Sequence, residues 1–243
     1  MPEERRIPTP APADLPSFKI LVDGSQISAE YQIQALLISR SFNRVAEAQI
    51  IVLDGDPAAE DFKASTADDF VPGKEIEIKA GYHGDEESLF KGLIVRHGIR
   101  VYQKRPSVLR VECKDAAVKL TVGRSNAYHY AVTDAEIIED LASAAGLTPD
   151  VEATSVNHQG MVQYYASDWD FIVTRAEANG RLVSTEDGSL VVKAPDATAQ
   201  AVLSLTYGGN ILDFEAYMDA RHQYGAAQVY AWDAANQEML EIE

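Results

Sequence analysis

The chain has 243 residues, enough for one large or two modest domains at roughly 100–200 residues each. Its 38 acidic residues against 21 Lys and Arg give a formal net charge of −17, which argues against binding nucleic-acid backbones or anionic membranes, since both need clustered cations. One cysteine, Cys113, excludes an intrachain disulfide, and no Cys/His cluster has zinc spacing. No run approaches the ~18 apolar residues that span a bilayer.

The first sixteen residues hold Pro2, Pro8, Pro10, Pro12 and Pro16, so residues 1–16 are expected to form an extended, poorly ordered arm. Arg5 and Arg6 precede Ile7–Pro12 where an apolar signal region would stand, so no Sec-type signal is expected. Patterned sequence begins at Phe18–Val22, a strand followed by an Asp23-Gly24 turn. Ile33–Ile38 and Ala48–Leu53 are two more strands, and Asp54-Gly55-Asp56-Pro57 closes the second. The stretch from Ala58 to Asp69 carries Glu60, Asp61, Asp68 and Asp69 and reads as a solvated loop.

Lys74–Ala80 alternates, with Ile76, Ile78 and Ala80 on one face and Glu75, Glu77 and Lys79 on the other. After a turn at His83-Gly84-Asp85, the run Leu89–Val101 contains Gly92 and Gly98, which are expected to mark bulges or strong bending. Ser107–Cys113 alternates again, with Leu109, Val111 and Cys113 inward. To about residue 125 the chain thus reads as all-β, a barrel or sandwich.

The period then changes. Thr133 and Glu136 form a capping box, and Ile137, Ile138, Leu141, Ala142 and Ala145 follow at helical spacing up to Gly146 and Pro149. A second helix begins at Ser167, with Trp169, Ile172, Val173 and Ala176 on one face, and stops at Gly180. Strands resume at 181–184 and 190–193 around a Glu186–Ser189 turn. Val202–Tyr207, Ile211–Tyr217 and Ala226–Trp232 read as the opening strands of a second β-domain, and the last residues, 238–243, show no closing pattern. Such a set of strands leaves unpaired edges, so the chain is expected to be a fragment or to be completed by another chain.

Candidate chemistry is sparse. His83, His97, His129, His158 and His222 show no metal-ligand spacing and read as surface or structural residues. No GxSxG is present, and Cys113 reads as a core residue. Asp168-Trp169-Asp170 could hold a divalent cation with a nucleotide sugar. Residues two apart on a helix diverge, however, and an N-cap at Ser167 with acids in the first turn accounts for both. Among so many acids no carboxylate pair stands out for glycoside cleavage. Gly208-Gly209 lacks the rest of a phosphate-binding fingerprint. Tyr164 and Tyr165 could stack a ligand but are expected to pack on the helix that follows.

The segment Gln163-Tyr164-Tyr165-Ala166-Ser167-Asp168-Trp169-Asp170-Phe171, with Arg175-Ala176-Glu177-Ala178-Asn179-Gly180, resembles the signature of VgrG spike proteins and related phage tail hub proteins. Leu205–Phe214 and Leu89-Phe90-Lys91-Gly92-Leu93-Ile94 match the same family, in order and spacing, from about Phe18 to about Trp232. The resemblance implies a β-rich α+β chain with two tube-type, barrel-like hub domains flanking a mixed region with two helices. Residues 17–125 would be the first hub domain, 126–199 the mixed region, and 200–243 the start of a truncated second one.

It further implies the structural base of the spike of a contractile injection system: type VI secretion, a phage tail or a phage-tail-like particle. There a homotrimer joins the hexameric, Hcp-like inner tube to an OB-fold and needle tipped by a PAAR-type protein, among baseplate components. No enzymatic activity, catalytic residue, metal or cofactor is expected, nor nucleic-acid binding or membrane insertion. Assembly would take place in the bacterial cytoplasm, with delivery or release as part of the particle. Glu75, Glu77 and Lys79 could line the ring's lumen, where an acidic wall would repel nucleic acid and acidic cargo. A second reading is an extracellular carbohydrate-binding or carbohydrate-cleaving β-rich domain using its acids and tyrosines.

Overall fold

The computed structural model describes residues 15–196, 198–211, 213–221, 225–233 and 236–242. The Pro-rich arm through residue 14, and His222, lie outside the described residues.

Seven strands form one antiparallel sheet: β1 (Pro16–Val22), β2 (Ser25–Gln26), β3 (Gln32–Ser39), β4 (Glu47–Leu53), β5 (Glu75–Tyr82), β6 (Asp85–Arg100) and β7 (Val108–Lys114), in the order β2-β1-β5-β6-β7-β4-β3. Two-residue turns make its tight hairpins. Asp23 and Gly24 (φ 48° and 78°) join β1 to β2, and His83 and Gly84 (φ 58° and 81°) join β5 to β6. Positive φ at both turn positions matches the right-handed twist of the flanking strands.

Alternation fixes the buried face: Ile76 and Ile78, Ile50 and Val52, and Leu109, Val111 and Cys113 all enter one core. Ile20 and Val22 of β1 meet in that core with Ile33, Leu36 and Ile38 of β3. A flat sheet would hold those strands roughly 20–25 Å apart at ~4.8 Å per strand. The sheet therefore curls on itself, with β2 and β3 as its open edges.

Three local expectations need correction. Gly92 and Gly98 are not the bulge residues. Ile78 pairs with Phe90 and Lys79 with Ser88, so Leu89 is the extra residue; Ile94 pairs with Cys113 and Arg96 with Glu112, so Val95 is the second. Gly92 serves a close approach instead: a Cβ there would lie 2.2 Å from the Lys114 carbonyl oxygen. The acidic stretch after β4 is also more than a solvated loop. It carries a short helix α1 (Lys63–Thr66) and a 3₁₀ turn at Asp68–Phe70, which bury Ala64 and Phe70. Asp54 anchors α1, its carboxylate accepting the backbone N–H groups of Gly55 (3.0 Å), Ala64 (3.0 Å) and Ser65 (2.9 Å).

The mixed region builds a second core. After a 3₁₀ turn at Ala116–Thr121 come β8 (Ser125–His129), β9 (Val132–Thr133), α2 (Asp134–Ala144), β10 (Thr148–Val151), β11 (Asn157–His158), β12 (Met161–Ala166), α3 (Asp168–Ala178), β13 (Leu182–Glu186) and β14 (Ser189–Lys193). β10 runs parallel to β14, which pairs antiparallel with β13. Ile138 and Ala142 of α2 and Ile172 and Ala176 of α3 pack with Val183, Leu190 and Val192 of this sheet. The capping box of α2 is complete, and Ser167 Oγ accepts the Asp170 N–H (3.1 Å) at the start of α3.

Both cores lie in one compact unit that ends at Asp196. Asn43 and Val183 exchange hydrogen bonds (2.7 and 2.9 Å), Thr185 Oγ1 accepts the Ala46 N–H (2.9 Å), and Asp115 accepts the Gly188 N–H (3.0 Å). Burial pushes the Asp115 carboxyl up, while the N–H donors of Ala117 and Gly188 pull it back.

The second unit, Ala197–Glu243, holds one antiparallel hairpin, β15 (Val229–Asp233) with β16 (Glu238–Ile242). The described residues of Val202–Tyr207 and Ile211–Tyr217, expected as strands, have no strand structure, whereas 238–242, expected to lack a pattern, is a strand. No described residue of this unit is buried, and Tyr230, Trp232 and Met239 stand exposed. The whole is β-rich with few helices.

Candidate assembly surface

The most unusual surface of the first unit is the two-stranded ribbon of β8 and β12. Val162 pairs with Tyr128 across it, and Gln163 with Ala127. Side chains alternate along both strands, so Tyr128, Tyr130, Val162 and Tyr164 share the outward face. Tyr128, Tyr130, Tyr164 and Tyr165 are 69%, 69%, 82% and 62% exposed. The Tyr128 and Tyr130 rings stack at 6.3 Å and 13°. Tyr164 and Tyr165 therefore do not pack on the following helix, as the sequence suggests, but face solvent.

A buried polar residue sets this inverted arrangement. Gln163 takes the inward position and is fully buried; its Nε2 donates to Ser125 Oγ (2.9 Å), the Ala166 carbonyl (3.2 Å) and Asp168 Oδ1 (2.7 Å). Ser125 Oγ also donates to Asp168 Oδ1 (2.8 Å). Asp168 thus fastens the start of α3 to the ribbon, an additional role to that of a first-turn acid favourable to the helix dipole. Asp168→Ala is expected to cost about 1–2 kcal/mol, mainly through these two bonds. A double-mutant cycle with Gln163→Ala checks this, since strictly additive losses would contradict the shared network.

Between Gln163 and Ala166 the pairing slips, leaving Tyr164 and Tyr165 opposite Asn126. Tyr165 sits at φ 45°, its N–H bonded to Asn126 Oδ1 (2.8 Å) and its ring 5.1 Å from the Arg124 guanidinium. A left-handed backbone on a bulky residue costs about 1–2 kcal/mol, more than an exposed cation–π contact of about 0.5–1 kcal/mol returns. Tyr165→Gly is expected to raise the unfolding free energy by about 0.5–1 kcal/mol, as thermal denaturation would show. A loss of stability would contradict the strain.

The remaining candidates have structural positions. Cys113 is 1% exposed, and burial pushes its thiol up to about 12. His83 lies in the β5–β6 turn; His97 Nδ1 is 2.9 Å from the Phe70 carbonyl oxygen; His129 stacks on Phe171 at 5.9 Å. His158 Nε2 is 3.0 Å from Asp134 Oδ2. Among the described residues no three His, Cys, Asp or Glu side chains gather as a metal site, and no helix is long and apolar enough to cross a membrane. Gly208 and Gly209 lie in a Thr206–Asn210 turn closed by the Gly209 N–H on the Thr206 carbonyl (3.0 Å).

Glu75, Glu77 and Lys79 lie on the face of β5 opposite the buried Ile76 and Ile78, but the strip is not acidic. Glu77 Oε1 lies 3.6 Å from both Lys79 Nζ and Lys91 Nζ, so two lysines balance the two glutamates. The strip expected to be acidic is charge-balanced.

Sequence inspection missed Asp134. It is 2% exposed, at the first position of α2, and accepts from Arg175 Nε (2.6 Å) and Nη2 (2.8 Å) and from Asn179 Nδ2 (2.9 Å). Burial alone would raise its carboxyl. The bonds from Arg175, Asn179 and His158 outweigh that and hold it well below the ordinary carboxylate range. Arg175 and Asn179 belong to the Arg175–Gly180 part of the signature, so that part of the motif ties α3 to α2.

A family model described as the Alg8 N-terminal domain matches residues 12–243. No curated protein matches the sequence. The structure is similar to the prophage MuSo2 43 kDa tail protein from Shewanella oneidensis, with TM-score 0.67 and 13% identity over 94% of this chain and 69% of that one. It is similar also to the tail protein from Neisseria meningitidis MC58, with TM-score 0.65 and 14% identity over 94% and 67%. The E. coli c3393 protein, described as a component of the type VI secretion system with structural similarity to T4 bacteriophage tail proteins gp27 and gp5, aligns with TM-score 0.51 and 13% identity over 72% of this chain and 48% of its own. These likenesses establish a tail-protein fold.

Proposed function

We propose that this chain, which belongs to the Alg8 N-terminal domain family, is a non-enzymatic structural module at the hub of a contractile injection system. One observation carries the reading: 94% of the chain aligns with each of two tail proteins. The exposed tyrosine ribbon, the open sheet edges at β2 and β3, and a second unit none of whose described residues is buried support it, because each leaves surface for a neighbour to cover.

In the finer form of the proposal three copies make a ring. Each contributes two β-rich parts, residues 17–125 and 200 onward, so that a threefold object presents six similar surfaces. One side of the ring meets an Hcp-like hexameric inner tube, and the other continues into the OB-fold, needle and PAAR-type tip. The work is shape matching, with no bond made or broken and no cofactor needed. The particle assembles in the bacterial cytoplasm and carries the hub out.

Native mass spectrometry of the chain at micromolar concentration tests the ring. Three copies of the 26.6 kDa chain are expected. A monomer throughout the concentration range would contradict the trimer.

A further inference from the structure

Charge is unevenly placed on the first unit. Between Glu87 and Glu112 the chain carries six of its 21 Lys and Arg and no acid, whereas no other acid-free stretch holds more than two. These cations gather at the far end of the β6–β7 hairpin. Leu109 and Val111 enter the core, so the register puts Arg96, Arg100 and Arg110 together on the opposite face. Gly98 pairs with Arg110 between the two β6 arginines, and a shallow hollow of about 170 Å³ lies between Arg96, Arg100, Arg110 and Glu112. In the connection to β7, the Tyr102 ring lies 5.3 Å from the Arg100 guanidinium and 3.7 Å from that of Arg105, which holds both at this end. Arg96 pairs with Glu112 (2.8 Å), but among the described residues Arg100, Lys104, Arg105 and Arg110 have no carboxylate partner.

The opposite charge lies at the same end of the sheet. Asp56, Glu60, Asp61 and Asp68, around α1, are exposed, and among the described residues none of them pairs with a lysine or arginine. This acidic stretch is tied to the hairpin on either side. The Asp54 N–H donates to the Ser107 carbonyl (3.1 Å), and His97 Nδ1 is 2.9 Å from the Phe70 carbonyl oxygen. Two fixed patches of opposite sign thus sit close in the fold without neutralising each other.

Copies of a chain of net −17 repel one another at long range. Self-association therefore requires opposite charges to meet at contact, where like-charge juxtaposition is costly and complementary patches fix the register. The hairpin supplies the concentrated positive charge, and the acidic stretch of a neighbouring copy supplies its complement. Because the two patches differ, their contact is head-to-tail, the kind that repeats around a ring.

We propose that the basic end of the β6–β7 hairpin, with Arg100 and Arg110, docks on the Asp56–Asp68 stretch of a second copy of this chain. The proposal rests on the ring reading above and names the contact that closes the ring.

Sedimentation velocity of the full chain tests it. Arg100→Glu/Arg110→Glu should raise the dissociation constant of the assembly about tenfold or more, and adding Glu60→Lys/Asp68→Lys to the same chain should restore it. Restoration also shows that the reversed chain folds. The parent assembly should weaken as ionic strength rises from ~0.05 to ~0.5 M. A reversed hairpin that assembles like the parent would overturn this contact and leave the ring reading standing. Weakened assembly that the two lysines do not restore, or a parent assembly indifferent to salt, would overturn the pairing of these patches. A parent that stays monomeric would overturn both the contact and the ring.

Discussion

Asp134→Ala is expected to lower the unfolding free energy by about 3–5 kcal/mol, because it leaves the Arg175 guanidinium, which is mostly buried, without its counter-charge. Two donors from Arg175, one from Asn179 and the His158 ring nitrogen converge on this carboxylate, so one substitution unties α2 from α3 and from the β9–β11 pair. The pH dependence has a definite sign. The folded carboxyl lies below its ordinary value, so its contribution is complete above an unfolded pKa of about 3.9 and fades as pH falls through the lowered folded value. Urea denaturation of parent and variant should therefore show a gap that is constant near neutrality and narrows in acid. A gap below about 1 kcal/mol at neutral pH, the size expected of an exposed pair, would contradict the buried network.

Gly92→Ala should be comparably damaging, at about 3 kcal/mol or more, for a steric reason. The added Cβ would lie 2.2 Å from the Lys114 carbonyl oxygen and 2.9 Å from the Phe90 ring. Backbone cannot yield as a flexible side chain end can, so β6 and β7 must separate beside the Leu93–Lys114 pair. Gly98, six residues along the same strand, is the matched control, since nothing lies within 4 Å of its Cβ position. Gly98→Ala should change stability by no more than about 0.5 kcal/mol. Equal losses at the two sites, read from chemical denaturation midpoints, would show that loss of glycine flexibility, and not close approach, governs this strand.

The elements most legible in the sequence were those whose local pattern and tertiary environment agree. β5 and β7 alternate because one face is buried, and α2 and α3 carry caps and an apolar stripe that the second core uses. Long-range polar partners were not legible. Asp134 and Arg175 are 41 residues apart, and each alone reads as an ordinary helix-end charge. Gly92 was noticed for the wrong reason, since the carbonyl that excludes a side chain belongs to another strand. The ribbon did leave a signal: in Met161–Ala166 alternation puts Gln163 on the face opposite Val162 and Tyr164. A polar residue inward with aromatics outward is the reverse of an ordinary strand, and such a reversal points to an interaction surface. In the second unit apolar runs alone did not identify strands, because pairing decides which of them become β.

The proposed role, a building block at the hub of an injection particle, can be checked by cryo-electron microscopy of particles purified from the producing bacterium. Three copies of this fold are expected at the end of the inner tube, one side of the ring against the last tube hexamer. Intact particles with tube and needle but no density for this fold at their junction would contradict it.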